Sequence, residues 1–231
     1  MPPLSTGCLP KLLDFLSRYA IMGTMTRFIG DVHGHWVRYL NAIYGCDDSI
    51  QVGDFGVGFP VYGKMDVPPK IDVPPIIEHG NHRFIHGNHD DPYLCKELAG
   101  FIPDGTVEGD VMFHGGAYSI DKSTRTPGLD WWPDEEASYA DLVRFIGKYE
   151  EVKPRMMVSH DCPDVITDEL FPFKLPIGSR TRTAFSECFR IHQPEIWVFG
   201  HWHESRDKVI DGTRFICLNQ LETIDLEEPS N

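Results

Sequence analysis

Five short β-rich runs along the chain each end in a polar residue that can bind a metal ion. Helical patterns lie between the runs, which indicates a layered α/β fold. Polar residues beyond the carboxyl ends of strands are typical of functional sites in such folds. The runs and their polar ends are Arg27–Ile29 before Gly30-Asp31, Ser49–Val52 before Gly53-Asp54, Arg83–His86 before Gly87-Asn88, Met156–Val158 before Ser159-His160, and Ile196–Phe199 before Gly200-His201.

Two of these elements have the spacing of a chelating pair. Asp31-x-His33 and His201-x-His203 each place two ligand-type side chains two residues apart. In extended backbone, side chains at that spacing lie on the same side of the strand. The two pairs are therefore expected to approach one metal region from two directions.

In their order and spacing, the five elements resemble the motif set of the calcineurin-like metallophosphoesterases. The resemblance extends from about Arg27 to Asn219. It implies a four-layer α/β/β/α sandwich, in which two mixed sheets pack face to face and are flanked by helices. It also implies two metal ions bridged by Asp54. By the same resemblance, Asp31, His33 and His203 are ligands of one ion, and Asn88, His160 and His201 are ligands of the other.

The cofactors expected from these ligands are two divalent transition-metal ions. Imidazole nitrogens mixed with carboxylates suit Mn, Fe or Zn, whereas Ca and Mg prefer shells made only of oxygen. Two such ions can hold a bridging hydroxide and clamp phosphoryl oxygens. The resemblance makes His89 the candidate general acid for the leaving group. Metal-dependent hydrolysis of phosphoesters is therefore the expected activity.

Residues beyond the ligands bear on the surroundings of the metals. Asp90 is a candidate catalytic residue that could orient His89, but Asp90 or Asp91 could instead cap the helix predicted to begin near Pro92. The acidic cluster 134–136 is expected to face solvent. The candidate substrate-binding residues are His35, His114 and Arg125.

The residues after Asp54 bear on the substrate class. The Ser/Thr protein phosphatases of this family carry an aspartate and an arginine there, and the arginine grips a phosphomonoester. Here Asp54 is followed by Phe55–Phe59, which favours phosphodiesters. An aromatic insertion around Arg125 and Trp131-Trp132 could stack against the second ester arm or cover a core edge. Phosphomonoesterase or protein-phosphatase activity at the same site is the alternative.

The segment Ser159–Pro163, with Gly115-Gly116 upstream, is also similar to the RNA lariat debranching branch of the family. That branch departs from the family at its first metal motif, where this chain has an ordinary Asp31-x-His33. Because of the similarity at Ser159–Pro163 and Gly115-Gly116, nucleotides and nucleic-acid-derived phosphoesters are nevertheless among the expected substrates. A non-catalytic scaffold is the rival from another functional class, but every ligand position of the motif set is filled here.

Composition limits the remaining classes of function. The 231 residues carry a formal charge of -14, which argues against a broad basic surface for nucleic-acid backbones. The six cysteines are scattered singly, as in reduced, cytoplasmic proteins. No apolar stretch approaches the roughly 20 residues of a membrane helix, and we expect neither membrane association nor an obligate protein partner. We expect an N-terminal extension at 1–25, one metallophosphoesterase domain at 26–231, and a Pro-rich surface loop at 59–75.

Overall fold

Strands and helices alternate along residues 25–59, 81–172 and 178–227, which are the residues described by the computed structural model. Residues 1–24 of the predicted extension, and the predicted loop beyond Phe59, lie outside the described residues. The strands are β1 (Met25–Ile29), β2 (Asp48–Gln51), β3 (Asn81–Phe84), β4 (Val107–Glu108), β5 (Val111–His114), β6 (Met156–Ser159), β7 (Ile196–Phe199), β8 (Arg206–Ile210), β9 (Thr213–Cys217) and β10 (Thr223–Glu227). The α-helices are α1 (Trp36–Ala42), α2 (Pro92–Cys95), α3 (Tyr139–Val152), α4 (Thr167–Leu170) and α5 (Arg180–Ile191).

The strands form two mixed sheets. In the smaller sheet the order is β10-β1-β2-β3, and only β10 runs antiparallel to its neighbour. In the larger sheet the order is β4-β5-β6-β7-β9-β8, with parallel central strands and an antiparallel strand at each edge. The five runs predicted from the sequence correspond to β1, β2, β3, β6 and β7.

Successive side chains on each strand point to opposite faces and so build three apolar layers. In β7, Trp197 faces the helices and packs in one cluster with Phe185 of α5. The next residue, Val198, faces the smaller sheet and shares a cluster with Phe28 of β1. Ile29 faces the other way, into a third cluster with α1. The layers are therefore helix, sheet, sheet and helix, which confirms the predicted α/β/β/α sandwich.

Side chains cap the helices α2, α3 and α5, whereas α1 and α4 begin without a side-chain cap. The carboxylate of Asp91 accepts hydrogen bonds from the backbone N–H groups of Tyr93 and Leu94 at the start of α2, so the capping prediction is confirmed for Asp91. Ser138 caps α3 by accepting a hydrogen bond from the N–H of Asp141. None of the helices in the described ranges has the length and apolar character needed to cross a bilayer.

The parallel pairing determines where the polar elements meet. β1, β2 and β3 run in the same direction, as do β6 and β7, so their carboxyl ends lie at one edge of each sheet. Because the two sheets share an apolar layer, these edges can bring the five polar elements together. The ligand groups described below lie in the loops that follow these five strands.

Candidate metal centre

A first group of ligand atoms forms where the loops after β1, β2 and β7 meet. Asp31, His33, Asp54 and His203 each bring one ligand atom within 4.8 Å of the others. The Nε2 atoms of His33 and His203 are 3.0 Å apart, and Oδ2 of Asp31 lies 2.9 Å from the latter. This oxygen is buried, and among the described residues the ring of His203 is its one close potential donor. A buried carboxylate oxygen in that state, surrounded by imidazole nitrogens, fits a bound cation.

A second group shares Asp54 with the first and adds His160 and His201. Oδ1 of Asp54 lies 3.3 Å from Nε2 of His160, which is 3.2 Å from Oδ1 of Asn88. Nδ1 of His160 donates to the carbonyl of Val52 at 2.9 Å and so turns Nε2 towards the group. The seven predicted ligands thus lie together in two groups that could hold metal ions, and their roles as ligands stay predictions.

The buried charges in the second group shift one another's pKa values. Burial would raise the pKa of Asp54, but His89 and His160 outweigh it and hold that pKa well below its usual range. Burial would lower the pKa of His160, but Asp54 outweighs it and raises the pKa to about 10. Burial lowers the pKa of His201 well below its ordinary value. A cation binding here would therefore displace a proton from His160.

Four of the predicted ligands have backbone in the left-handed region. The φ angle is 47° at His33, 56° at Asp54, 67° at His201 and 51° at His203. For residues other than glycine such a conformation costs about 1–3 kcal/mol each, and it persists only where the surroundings enforce it. Strain of this kind clusters at functional sites. No pattern in the sequence indicated it.

Two glycines let the backbone approach the ligand carboxylates. A Cβ atom at Gly87 would lie 2.1 Å from Oδ1 of Asp54, and one at Gly200 would lie 2.3 Å from Oδ1 of Asp31. Both distances are far shorter than a van der Waals contact. Any side chain at these positions would therefore push a ligand out of place.

His89 is held between Asp54 and Arg125. Nη2 of Arg125 lies 2.7 Å from Nε2 of His89. Because a guanidinium can only donate, His89 accepts at Nε2 and carries its proton on Nδ1, 3.5 Å from Oδ2 of Asp54. Phe59 stacks on the ring, with centroids 4.7 Å apart. Burial lowers the pKa of His89 against the effect of Asp54, and Arg125 lowers it further. The contact with Arg125 therefore disfavours a second proton on the ring of His89.

Asp90 does not make the predicted contact with His89. Its buried carboxylate instead ties the loop after β2 to the loop after β3, because it accepts hydrogen bonds from backbone N–H groups in both. Asp90 therefore shapes the loops that carry two predicted ligands, and the idea that it orients His89 is corrected. The N–H groups belong to Phe55 (3.0 Å), Gly56 (2.6 Å), Val57 (2.8 Å) and Gly87 (2.8 Å).

The ligand groups border a cavity of about 300 Å³. Arg125 lines this cavity together with Ile120 and Asp121. The guanidinium of Arg125 forms a bidentate ion pair with Asp121, with N–O distances of 2.7 and 2.8 Å. Sequence reasoning missed Asp121, although its i,i+4 spacing to Arg125 is typical of such pairs. Arg125 thus borders the same cavity as predicted metal ligands, and its role as a substrate contact stays a prediction.

The other two predicted substrate contacts do not line this cavity. His114 is 1% exposed and packs against Phe145 and Phe185, with ring centroids 4.4 and 5.3 Å away. His114 borders a separate cavity of about 730 Å³, and none of the predicted metal ligands lines that cavity. His35 is exposed and immediately precedes α1. The burial of His114 therefore argues against its assignment as a substrate contact, whereas the assignment of His35 stays a prediction.

The prediction that the acidic cluster faces solvent is wrong for two of its three residues. Glu135 is 3% exposed and Glu136 is 5% exposed. Glu135 accepts hydrogen bonds from Ser119, and Glu136 accepts one from the backbone N–H of Thr181 in α5. Trp132 is 3% exposed and so covers a core edge rather than offering a stacking face. Donors far away in the sequence allow these acids to be buried.

No protein-family model matches the sequence, and no curated protein matches it. Among solved structures, a Staphylococcus aureus protein provisionally described as a 5'-nucleotidase, in complex with alpha-ketoglutarate, matches at 13% identity and a TM-score of 0.47. The match covers 85% of this chain and 48% of that one, so this chain spans about half the length of that protein. A Thermotoga maritima protein solved by NMR matches at 14% identity and a TM-score of 0.34, over 86% of this chain and 85% of that one.

We predict that Gly87→Ala releases metal from the site. The added methyl group would displace the carboxylate of Asp54, so metal content measured by mass spectrometry should fall by at least one ion per chain. The matched control is Gly147→Ala in α3, where a Cβ meets nothing within 4 Å. That variant should keep all its metal and gain about 0.5–1 kcal/mol of folding stability. Equal metal content in both variants would contradict the prediction.

Proposed function

We propose that this protein hydrolyses phosphoesters with two divalent transition-metal ions, and that phosphodiesters are its preferred substrates. The observation that carries the proposal is the pair of ligand groups that share Asp54 beside a cavity of about 300 Å³. Paired ions bound there would activate water and neutralise phosphoryl oxygens. The nitrogen-rich donor set favours Mn, Fe or Zn.

His89 is assigned as the proton donor to the leaving group, which requires a second proton on its ring. While Arg125 donates to Nε2, that nitrogen cannot be protonated. Phosphate oxygens are good acceptors for a guanidinium. A substrate that draws Arg125 onto its phosphate would therefore free His89 to take up a proton. Substrate binding would thus allow His89 to become protonated at Nε2 and to act as the general acid.

The charge around Arg125 favours a diester over a monoester. A phosphomonoester dianion needs strong positive charge beside it, whereas a diester carries a single negative charge. The bidentate ion pair with Asp121 offsets the positive charge of Arg125. The Arg125 guanidinium therefore does not supply the positive charge that a phosphomonoester dianion needs. Ile120, which is 57% exposed, adds an apolar surface for a second ester arm. Phosphomonoester hydrolysis is the second candidate, because Arg125 still lines the cavity.

The proposal extends to the setting of the activity. It assumes one catalytic domain over residues 26–231, and β1 begins within one residue of that boundary. The substrates are taken to include nucleotides or nucleic-acid-derived phosphoesters, without an obligate protein partner. The five cysteines of the described residues are free thiols, which supports a cytoplasmic location.

We predict that Asp54→Asn abolishes both metal pairing and hydrolysis. A neutral amide has no negative charge to share between two dications. Metal content should therefore fall to one ion or fewer per chain, and turnover should fall by at least about 10²-fold. Chelation of the wild type should have the same effect on activity, and Mn should restore it better than Mg. Asp207→Asn, at an exposed ion pair on β8, is the control and should keep both ions and full activity. Two ions and near-full turnover in Asp54→Asn would refute the assignment.

We predict that a bis-aryl phosphodiester is turned over faster than the matching aryl monoester at neutral pH. Asp121→Asn should reduce the preference for the diester, because a neutral side chain at position 121 no longer offsets the positive charge of Arg125. Relative kcat/KM for the monoester should then rise roughly tenfold, as expected for one charge-assisted hydrogen bond of about 1.5 kcal/mol. A wild type that prefers the monoester would instead favour the phosphatase alternative.

We predict that the cost of His89→Ala depends on the leaving group. An alkoxide needs a proton in order to leave, so cleavage of alkyl or nucleotide esters should slow by about 10²–10⁴-fold. A nitrophenolate leaves without one, so nitrophenyl esters should be largely spared, with both ions still bound. Equal losses on both substrate types would mean that His89 positions phosphate or supports the metal ligands rather than donating a proton.

A further inference from the structure

A buried chain of hydrogen bonds leads from Asn88 away from the metal groups. Nδ2 of Asn88 donates to Oγ of Ser119 at 2.9 Å, and Oγ of Ser119 donates to Oε2 of Glu135 at 2.6 Å. The backbone N–H of Ser119 donates to the other oxygen of Glu135 at 3.0 Å. All three side chains are at most 3% exposed. Both carboxylate oxygens of Glu135 are therefore occupied by Ser119.

The direction of this chain follows from the chemistry of its members. With Glu135 ionised, its carboxylate can only accept, so the one hydroxyl proton of Ser119 points to Glu135. Oγ of Ser119 can then only accept from Asn88, and only the amide nitrogen of Asn88 can donate to it. Oδ1 of Asn88 is thereby turned the other way, to within 3.2 Å of Nε2 of His160.

We propose that Glu135 is a positioning residue for the second metal ion, acting through Ser119 to hold the oxygen of Asn88 towards the ion. The inference rests on the proposed function, since it concerns the same site. It adds a specific requirement, because an asparagine that could rotate its amide would offer the ion a nitrogen that cannot bind it. A carboxylate is needed at position 135, and the amide of a glutamine does not replace it.

The test is Glu135→Gln, read out as Mn binding in the absence of substrate. The glutamine oxygen would accept from the N–H of Ser119, and its amide group would then donate to Oγ. The hydroxyl proton of Ser119 would turn to Asn88, whose amide would flip. We expect the affinity for one of the two ions to fall by about 10–100-fold while the other is unchanged. Electron paramagnetic resonance should also lose the spin-coupled Mn pair at ion concentrations that fill the wild type.

Glu136→Gln is the matched control, since it makes the same chemical change at the neighbouring buried position. Glu136 accepts from Ser179 and Thr181 at the start of α5 and has no hydrogen bond to Ser119 or Asn88. This variant should bind both ions as the wild type does, even if it melts at a lower temperature. In an Asn88→Ala background, Glu135→Gln should have no further effect on metal binding.

Wild-type affinity for both ions in Glu135→Gln, or equal losses in the two glutamate variants, would overturn the inference. If Glu135→Gln does not fold, Ser119→Ala replaces it, because it removes the acceptor for Asn88. Wild-type affinity in that variant would be equally decisive against the inference. A wild type that binds two ions but cleaves no phosphoester would overturn the proposed function alone, because the affinities are measured without substrate.

Discussion

The arrangement of the candidate site depends on the carboxylate of Asp54, which belongs to both groups of ligand atoms. Oδ1 of Asp54 accepts from the backbone N–H of His89 at 2.8 Å and lies 3.3 Å from Nε2 of His160. Its other oxygen faces the rings of His33 and His89, and its carbonyl oxygen accepts from the N–H groups of Val32 and His33. Loops from both sheets thus converge on a single residue. The two groups of ligand atoms are neighbours because Asp54 belongs to both.

A buried carboxylate of this kind needs positive charge beside it. In the metal-free protein the proton on His160 supplies that charge, which is why its pKa is raised to about 10. A bound cation would take over the same role, so protons and metal ions compete for one position. The left-handed backbone at His33, His201 and His203 adds a further conformational free-energy cost to the folded state. The three apolar layers of the sandwich provide the rigid frame that keeps these residues in place.

The strands and the grouping of the ligands could be predicted from the sequence because both depend on local patterns. A β-rich run that ends in Gly-Asp or Gly-His indicates a strand and the group at its end, and parallel pairing brings such ends together. The environments of Glu135 and His114 could not be predicted in this way. A run of three acids is typical of a solvated surface, and the hydrogen bonds from Ser119, which the packing of loops brings close, help to bury Glu135. The contact between Arg125 and His89 joins residues 36 positions apart and left no pattern in the sequence.

Under the proposed function, the acidic character of the chain would make the metal ions essential for substrate binding as well as for chemistry. With a formal charge of -14, the protein as a whole repels anions, although screening confines this effect to about 8–10 Å at physiological salt. Within the cavity, Arg125 is offset by Asp121, and Asp54 adds a carboxylate. Asp31 adds a second carboxylate in the adjoining ligand group. Two dications would outweigh those carboxylates, so the cavity would become attractive to a phosphoester only when the ions are bound. The metal-free protein would therefore bind substrate more weakly as well as fail to turn it over.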